Sequence, residues 1–206
     1  MATIIRIHPA NPQPRRCDEV ATALREGALI AYPTDSTFAF GCALGNADAI
    51  ERIRRVRKTD KNHNFTLVCK DLSEIATYAR VDNWVYRLLR SATPGPYTFI
   101  LRATGEVPKR MQHPKRRTIG IRVPDNAVVH ALLGAIGEPI VSSTLITPDW
   151  EYPPTDAFEI DAVIGSHLDV VIDGGPVGME PTSVLDLSAG DVNVLREGLG
   201  DTSRFT

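Results

Sequence analysis

Ala31-Tyr32-Pro33-Thr34-Asp35-Ser36-Thr37-Phe38-Ala39-Phe40-Gly41 runs from a short apolar strand, halted at Pro33, into a turn with three hydroxyls and a carboxylate. Five further segments follow in order: Arg57-Lys58-Thr59-Asp60, Pro94-Gly95-Pro96-Tyr97-Thr98-Phe99, Ile119-Gly120-Ile121-Arg122-Val123-Pro124, Pro139-Ile140-Val141-Ser142-Ser143-Thr144 and Pro181-Thr182-Ser183-Val184. Each sets hydroxyls, a turn or an arginine at the end of an apolar run. An open α/β sheet builds a polar cleft above its strand ends in this way. One such turn is ordinary loop chemistry, because Ser, Thr and Asp favour turns anyway. Six in order along one chain point to a shared site.

Outward from these turns, Ile4–Ile7, Ala28–Tyr32, Phe65–Cys69, Thr98–Arg102, Thr118–Val123, Pro139–Ser142, Asp169–Ile172, Ser183–Leu187 and Asn193–Leu195 read as strands. Helices are expected over Arg15–Arg25, from the N-cap Asn46 through Arg57, after Asp71, after Asp82, from Asn126 to Ile136 and near Asp156–Val163. Helix and strand alternate irregularly, so a mixed sheet flanked by helices is expected. No linker composition divides the 206 residues, which predicts one α/β domain over residues 14–200. Residues 1–13 form a strand and Pro-rich lead-in, and residues 201–206 a tail.

With 43% hydrophobic and 23% charged residues, the chain reads as soluble and globular. Cys17, Cys42 and Cys69 have no metal or disulfide spacing, and no apolar run suffices for a signal peptide or a membrane span, so a cytoplasmic location is expected. A formal net charge of −2 gives no global attraction to nucleic acid, yet Arg52, Arg54, Arg55, Arg57, Lys58 and Lys61 cluster in one stretch. Lys109, Arg110, Lys115, Arg116 and Arg117 cluster in another. Both are read either as solvated faces or as phosphate contacts.

Several chemistries are excluded. GxSxG, GxGxxG and GxxxxGK[ST] do not occur, and the five histidines are dispersed. No nucleophilic residue and no metal site are expected. Arg122 alternates with Ile121 and Val123, so it faces away from them. It suits either a surface ion pair or a clamp on carboxylate or phosphate.

The six segments together resemble the YrdC/YciO family, which includes the threonylcarbamoyl-AMP synthases, over roughly residues 14–200. Asn64-Phe65-Thr66-Leu67, Pro94–Leu101 and Arg196-Glu197-Gly198 resemble the YciO branch most. The resemblance implies a twisted mixed sheet with a concave basic cleft. It implies synthesis of threonylcarbamoyl-adenylate and pyrophosphate from L-threonine, bicarbonate and ATP with Mg²⁺, for modification of tRNA adenosine 37. By the same resemblance, Thr34, Arg122, Ser142 and Ser183 hold threonine or its carbamate, and Arg57, Thr144 and Arg196 hold nucleotide phosphates.

Two departures stand out. The Lys-x-Arg-Pro of the synthases is here Arg57-Lys58-Thr59-Asp60, and their Ser-x-Asn is Thr144-Leu145-Ile146. Each lost polar contact to a transition state costs roughly 2–4 kcal/mol, which implies reduced synthase turnover. The alternative is a paralogue binding tRNA or double-stranded RNA through Arg52, Arg55, Lys58, Lys61, Lys115, Arg116 and Arg117, with little synthesis. A third is a nucleotide-binding regulator that retains only the cleft. An aromatic content of 6% gives little support to base stacking on single strands.

Overall fold

The computed structural model describes residues 1–59 and 64–205. Its ten strands, β1 (Thr3–Arg6), β2 (Ile30–Tyr32), β3 (Ala39–Ala43), β4 (Thr66–Val68), β5 (Tyr97–Arg102), β6 (Thr118–Arg122), β7 (Ile140–Thr144), β8 (Val170–Asp173), β9 (Ser183–Asp186) and β10 (Asn193–Arg196), form one sheet. The strand order is β1-β8-β2-β3-β7-β4-β6-β5-β9-β10. Parallel pairs (β1·β8, β2·β8, β4·β6, β5·β9) mix with antiparallel ones (β2·β3, β3·β7, β4·β7, β5·β6, β9·β10). The expected mixed α/β sheet is therefore present.

Six helices flank it: α1 (Pro14–Arg25), α2 (Ala47–Arg57), α3 (Leu72–Tyr78), α4 (Asn83–Ala92), α5 (Ala127–Ile136) and α6 (Ala157–Ile164). Their starts follow local chemistry. Pro14 occupies the first turn of α1, where its missing N–H costs nothing. Asn46 accepts from the Ala49 N–H at 3.1 Å, Asp71 from Glu74 at 3.0 Å and Asn126 from Val129 at 3.1 Å. Asp82 starts α4 without a side-chain cap. Helix α5 ends at Gly137, whose φ of 77° is left-handed backbone that glycine adopts freely.

The helices divide between the two faces of the sheet. Helices α2, α3, α4 and α6 bury Ile50, Ile53, Ile75, Leu89 and Ile160 with Phe40, Leu67, Phe99, Ile121, Val141 and Leu185 of the strands. On the other face, α1 and α5 bury Val20, Leu24, Val128 and Leu132 with Ile5, Ile30, Tyr32, Ile140 and Ile172. That second cluster stops at Val68 of β4; it contains no residue of β5, β6, β9 or β10. Half of one sheet face thus lacks an apolar helix cover, and the polar site forms there.

Strand β3 has no counterpart among the sequence-based strands. All of Ala39–Cys42 is buried, so no polar–apolar alternation marks it. It depends on Gly41, where an added Cβ would stand 2.8 Å from the Tyr32 ring. All three cysteines are buried free thiols, and burial pushes Cys42 up to about 12, so they are packing residues rather than nucleophiles. Among the described residues no helix is long and apolar enough to cross a membrane.

Candidate functional site

The β2–β3 turn is built by its own hydroxyls. Thr34 Oγ1 donates to the Thr37 carbonyl at 2.6 Å and accepts from the Ser36 N–H at 3.1 Å. Arg122, the last residue of β6, reaches into this turn. Its Nη2 donates to Ser36 Oγ at 2.9 Å and Thr34 Oγ1 at 3.3 Å, and pairs with Asp35. Asp35 also accepts from the Asp125 N–H at 3.0 Å, which ties the β2–β3 turn to the segment after β6. Arg122 Nε is buried and has no partner among the described residues. A buried guanidinium with an unmet donor is an unfinished site.

Ser142 on β7 stands beside it. Its hydroxyl accepts from Tyr32 Oη at 2.7 Å and donates to the Phe40 carbonyl at 3.1 Å. Burial pushes the Tyr32 phenol up to about 12, so it stays a proton donor at neutral pH. The pairing Ser142–Thr66–Gly120–Ile100 runs across four strands on this face. Gly120 makes room there: a Cβ would lie 2.7 Å from Thr66 Oγ1.

Two more arginines close the hollow. Arg57 ends α2; it donates to the Ser143 hydroxyl, and its Nε lies 3.4 Å from the Ile146 carbonyl. Burial first, then the positive charge of Arg196, lowers its guanidinium to about 10. Arg196 ends β10 and donates to the Thr182 carbonyl at 2.9 Å and Thr182 Oγ1 at 3.2 Å. Thr182 Oγ1 in turn meets Thr98 Oγ1 at 2.9 Å. Burial and Arg122 lower Arg196 as well.

The result is a cleft of about 260 Å³ whose lining includes Arg57, Arg122, Arg196, Ser142 and Thr144. Five of the seven residues expected to hold threonine or phosphate meet there, from α2, β6, β7 and β10. Among the described residues no carboxylate lines it. Three guanidiniums around a rim of hydroxyls, two of them lowered by burial and by a neighbouring arginine, can receive an anion.

Two expected residues stand apart from the lining. Thr34 lies beneath it, joined through Arg122. Ser183 is fully buried; its hydroxyl donates to the Gly200 carbonyl at 2.5 Å and accepts from the Gly198 N–H at 2.9 Å. Ser183 thereby clamps the segment after Arg196, while its neighbour Thr182 faces the cleft. Thr66, Thr98, Ser143 and Thr182 also line the cleft; the last three lie in the six segments, yet none of the four was assigned a ligand from sequence. Strand alternation was the available signal: Thr182 and Val184 share one face and Ser183 the other.

The basic clusters settle elsewhere. Arg52 pairs with Asp169 at 2.7 Å, and Lys58 Nζ lies 2.6 Å from Asp149. With the exposed Arg55 they surround a hollow beside Trp150. Lys58 is thus held away from the cleft and does not replace the cation absent at Thr59. Lys61 lies outside the described residues. Lys115, Arg116 and Arg117 are exposed on the turn before β6, with Arg116 paired to Asp186 at 2.7 Å. Among the described residues no group of three carboxylate, histidine or cysteine side chains could hold a metal.

Comparison with known proteins agrees with this architecture. The family model Sua5_yciO_yrdC, described as "Telomere recombination", matches residues 22–198. An uncharacterized protein of Haemophilus influenzae is 48% identical over 206 residues, and YciO of Escherichia coli is 46% identical over 205, each over the full length of both chains. A threonylcarbamoyl-AMP synthase of Halorhodospira halophila is 29% identical over 185 residues, spanning 88% of this chain and 95% of that one. The crystal structure of E. coli YciO superposes with a TM-score of 0.96 over both full chains at 46% identity. P. abyssi Sua5 complexed with L-threonine shares the fold at a TM-score of 0.87 and 22% identity, over 96% of this chain and 58% of that one.

Proposed function

Because the chain belongs to the Sua5/YciO/YrdC family, we propose that it is a nucleotidyltransferase of the threonylcarbamoyl-AMP synthase type, working at reduced turnover. The observation that carries this reading is the convergence of Arg57, Arg122 and Arg196 with hydroxyls of three strands on one cleft. A carbamate oxygen of N-carboxy-threonine attacks the α-phosphorus of ATP, the new P–O bond forms, and the bond to the β-phosphate breaks to release pyrophosphate. Such a displacement needs alignment and charge neutralisation more than a protein nucleophile.

The roles follow from position. Arg122, anchored by the β2–β3 turn, keeps its unmet Nε donor for the amino-acid end. Arg57 is lowered by burial and Arg196, and Arg196 by burial and Arg122, so a polyanion relieves both, which suits the phosphates. Thr144 and Thr182 supply further hydroxyls, while Ser142, whose proton goes to the Phe40 carbonyl, shapes the wall. Magnesium is delivered on ATP as part of the substrate, its ligands being phosphate oxygens and water.

Reduced turnover is inferred from Thr59 and Ile146, which stand where the synthase motifs carry a cation and an amide. Incubation of the purified chain with ATP, Mg²⁺ and bicarbonate should yield pyrophosphate only when L-threonine is added. Release at the same rate without threonine, or none at all, would remove the synthase reading.

A further inference from the structure

On a different part of the surface, Arg80, Arg102, Lys109, His113, Arg116 and Arg117 line a groove of about 810 Å³ that shares no residue with the arginine–hydroxyl cleft. The cations come from four places: the residue following the α3 cap, the end of β5, the 3-10 turn Lys109–Met111 and the turn before β6. Among the described residues no carboxylate lines the groove. Arg116 is paired with Asp186, a side chain only 7% exposed, and Arg102 Nε donates to the Ser188 carbonyl at 2.8 Å. Arg80, Lys109 and Arg117 carry no ion pair among the described residues. Three uncompensated cations in one concavity concentrate positive potential and attract anions.

A second, independent feature lies in the turn itself. Arg117 has a φ of 53°, left-handed backbone that a residue with a Cβ adopts at a cost and glycine does not. The turn is held in this form from within. His113 Nδ1 accepts the N–H groups of Lys115 at 3.3 Å and Arg116 at 3.1 Å, and the Arg117 N–H donates to the His113 carbonyl at 2.9 Å. An arginine kept where glycine fits better is consistent with a role for its side chain.

The remaining lining decides the ligand class. Ala103, Gly105, Pro114 and Ala189 are small, and among the described residues no aromatic or large aliphatic side chain lines the groove. A peptide partner would have no apolar anchor here, and a base would have no ring to stack on. What fits is a ligand recognised by its charge along an open trough. We infer that this groove is a second anion site that takes a chain of phosphates, either a free oligophosphate or the backbone of a structured RNA.

The inference stands independently of the adenylation reading and is tested apart from it. Inorganic tripolyphosphate is titrated calorimetrically into the full chain, a labelled blunt RNA duplex is titrated by anisotropy over a salt series, and poly-glutamate serves as the non-phosphate polyanion. Two variants are compared with wild type: Arg80→Glu/Lys109→Glu, and Arg117→Gly, which removes a charge while easing the backbone. Neither touches the arginine–hydroxyl cleft, so an unchanged thermal melt reports that the fold is intact, and any tripolyphosphate binding that survives both variants belongs to the cleft.

The expected result is phosphate binding that falls about tenfold or more in the double variant, with a shallower salt slope for RNA in both variants. Variant-sensitive binding of tripolyphosphate alone assigns the groove to a free oligophosphate; variant-sensitive binding of RNA alone assigns it to a nucleic-acid backbone. Equal affinity in wild type and variants, binding of neither phosphate ligand, or poly-glutamate binding as tightly as both would overturn the inference.

Discussion

Replacing Arg57 by glutamine is expected to do two opposite things: weaken ATP binding by roughly 10²-fold and raise the melting temperature of the ligand-free protein. The first follows from removing a largely buried guanidinium from a phosphate site, a change that costs about 2–4 kcal/mol where a charged partner loses its contact. The second follows from the depressed pKa. Burial and Arg196 bring Arg57 down to about 10, so folding disfavours its charged form. That penalty is fully present at neutral pH and is relieved only as the pH rises through about 10.

Allowing for partial exposure, the penalty is about 1–2 kcal/mol, or a few degrees in melting temperature for a chain of this size. Glutamine keeps an N–H donor for the Ser143 hydroxyl, so the packing partner is retained. For the same reason wild-type ATP affinity should hold to about pH 9 and decline as Arg57 loses its proton near 10. Calorimetric titration and a thermal melt on the same preparation read both effects. A lower melting temperature together with unchanged affinity would show that Arg57 is a structural residue outside the phosphate site.

The larger effect in the opposite direction is expected from restoring the two divergent positions together, Thr59→Arg with Ile146→Asn. Thr59 follows the left-handed Lys58 cap of α2, and its hydroxyl is buried with no partner among the described residues. Ile146 is 37% exposed, and its carbonyl is the acceptor for Arg57 Nε. An amide at 146 would place a donor and an acceptor beside Arg57, and an arginine at 59 would add the cation that Lys58 withholds by pairing with Asp149.

Each contact to a transition state is worth about 2–4 kcal/mol, and the two positions share Arg57 as a neighbour, so their effects should not simply add. A rise of roughly 10² or more in threonine-dependent turnover is expected. Steady-state pyrophosphate release by the single and double variants checks it, and a flat series would place the cause of low turnover elsewhere.

The contrast between what the residues disclosed and what they hid has physical reasons. Helices α2 and α5 were legible because an N-cap asparagine precedes an amphipathic or apolar run that ends in a left-handed residue. Strand β6 was legible because Ile119, Ile121 and Val123 enter the core while Arg122 turns to the cleft. Strand β3 was hidden because both its faces are covered. At Pro181–Val184 a run of two hydroxyls drew attention to Ser183, yet the strand's two-residue period sends Thr182 to the cleft and Ser183 to the Gly198–Gly200 clamp. The basic stretch of α2 also misled by composition alone, since Asp169 and Asp149, each more than ninety residues away, neutralise Arg52 and Lys58. Ion-pair partners so distant in sequence are brought together only by the fold.

One measurement addresses the central claim most directly: a crystal structure of the full chain with a non-hydrolysable ATP analogue and L-threonine. The account predicts the phosphates hydrogen-bonded to Arg57 and Arg196 with the threonine carboxylate at Arg122, all within the arginine–hydroxyl cleft. Nucleotide seated anywhere else on the surface, or an empty cleft at saturating analogue, would contradict it.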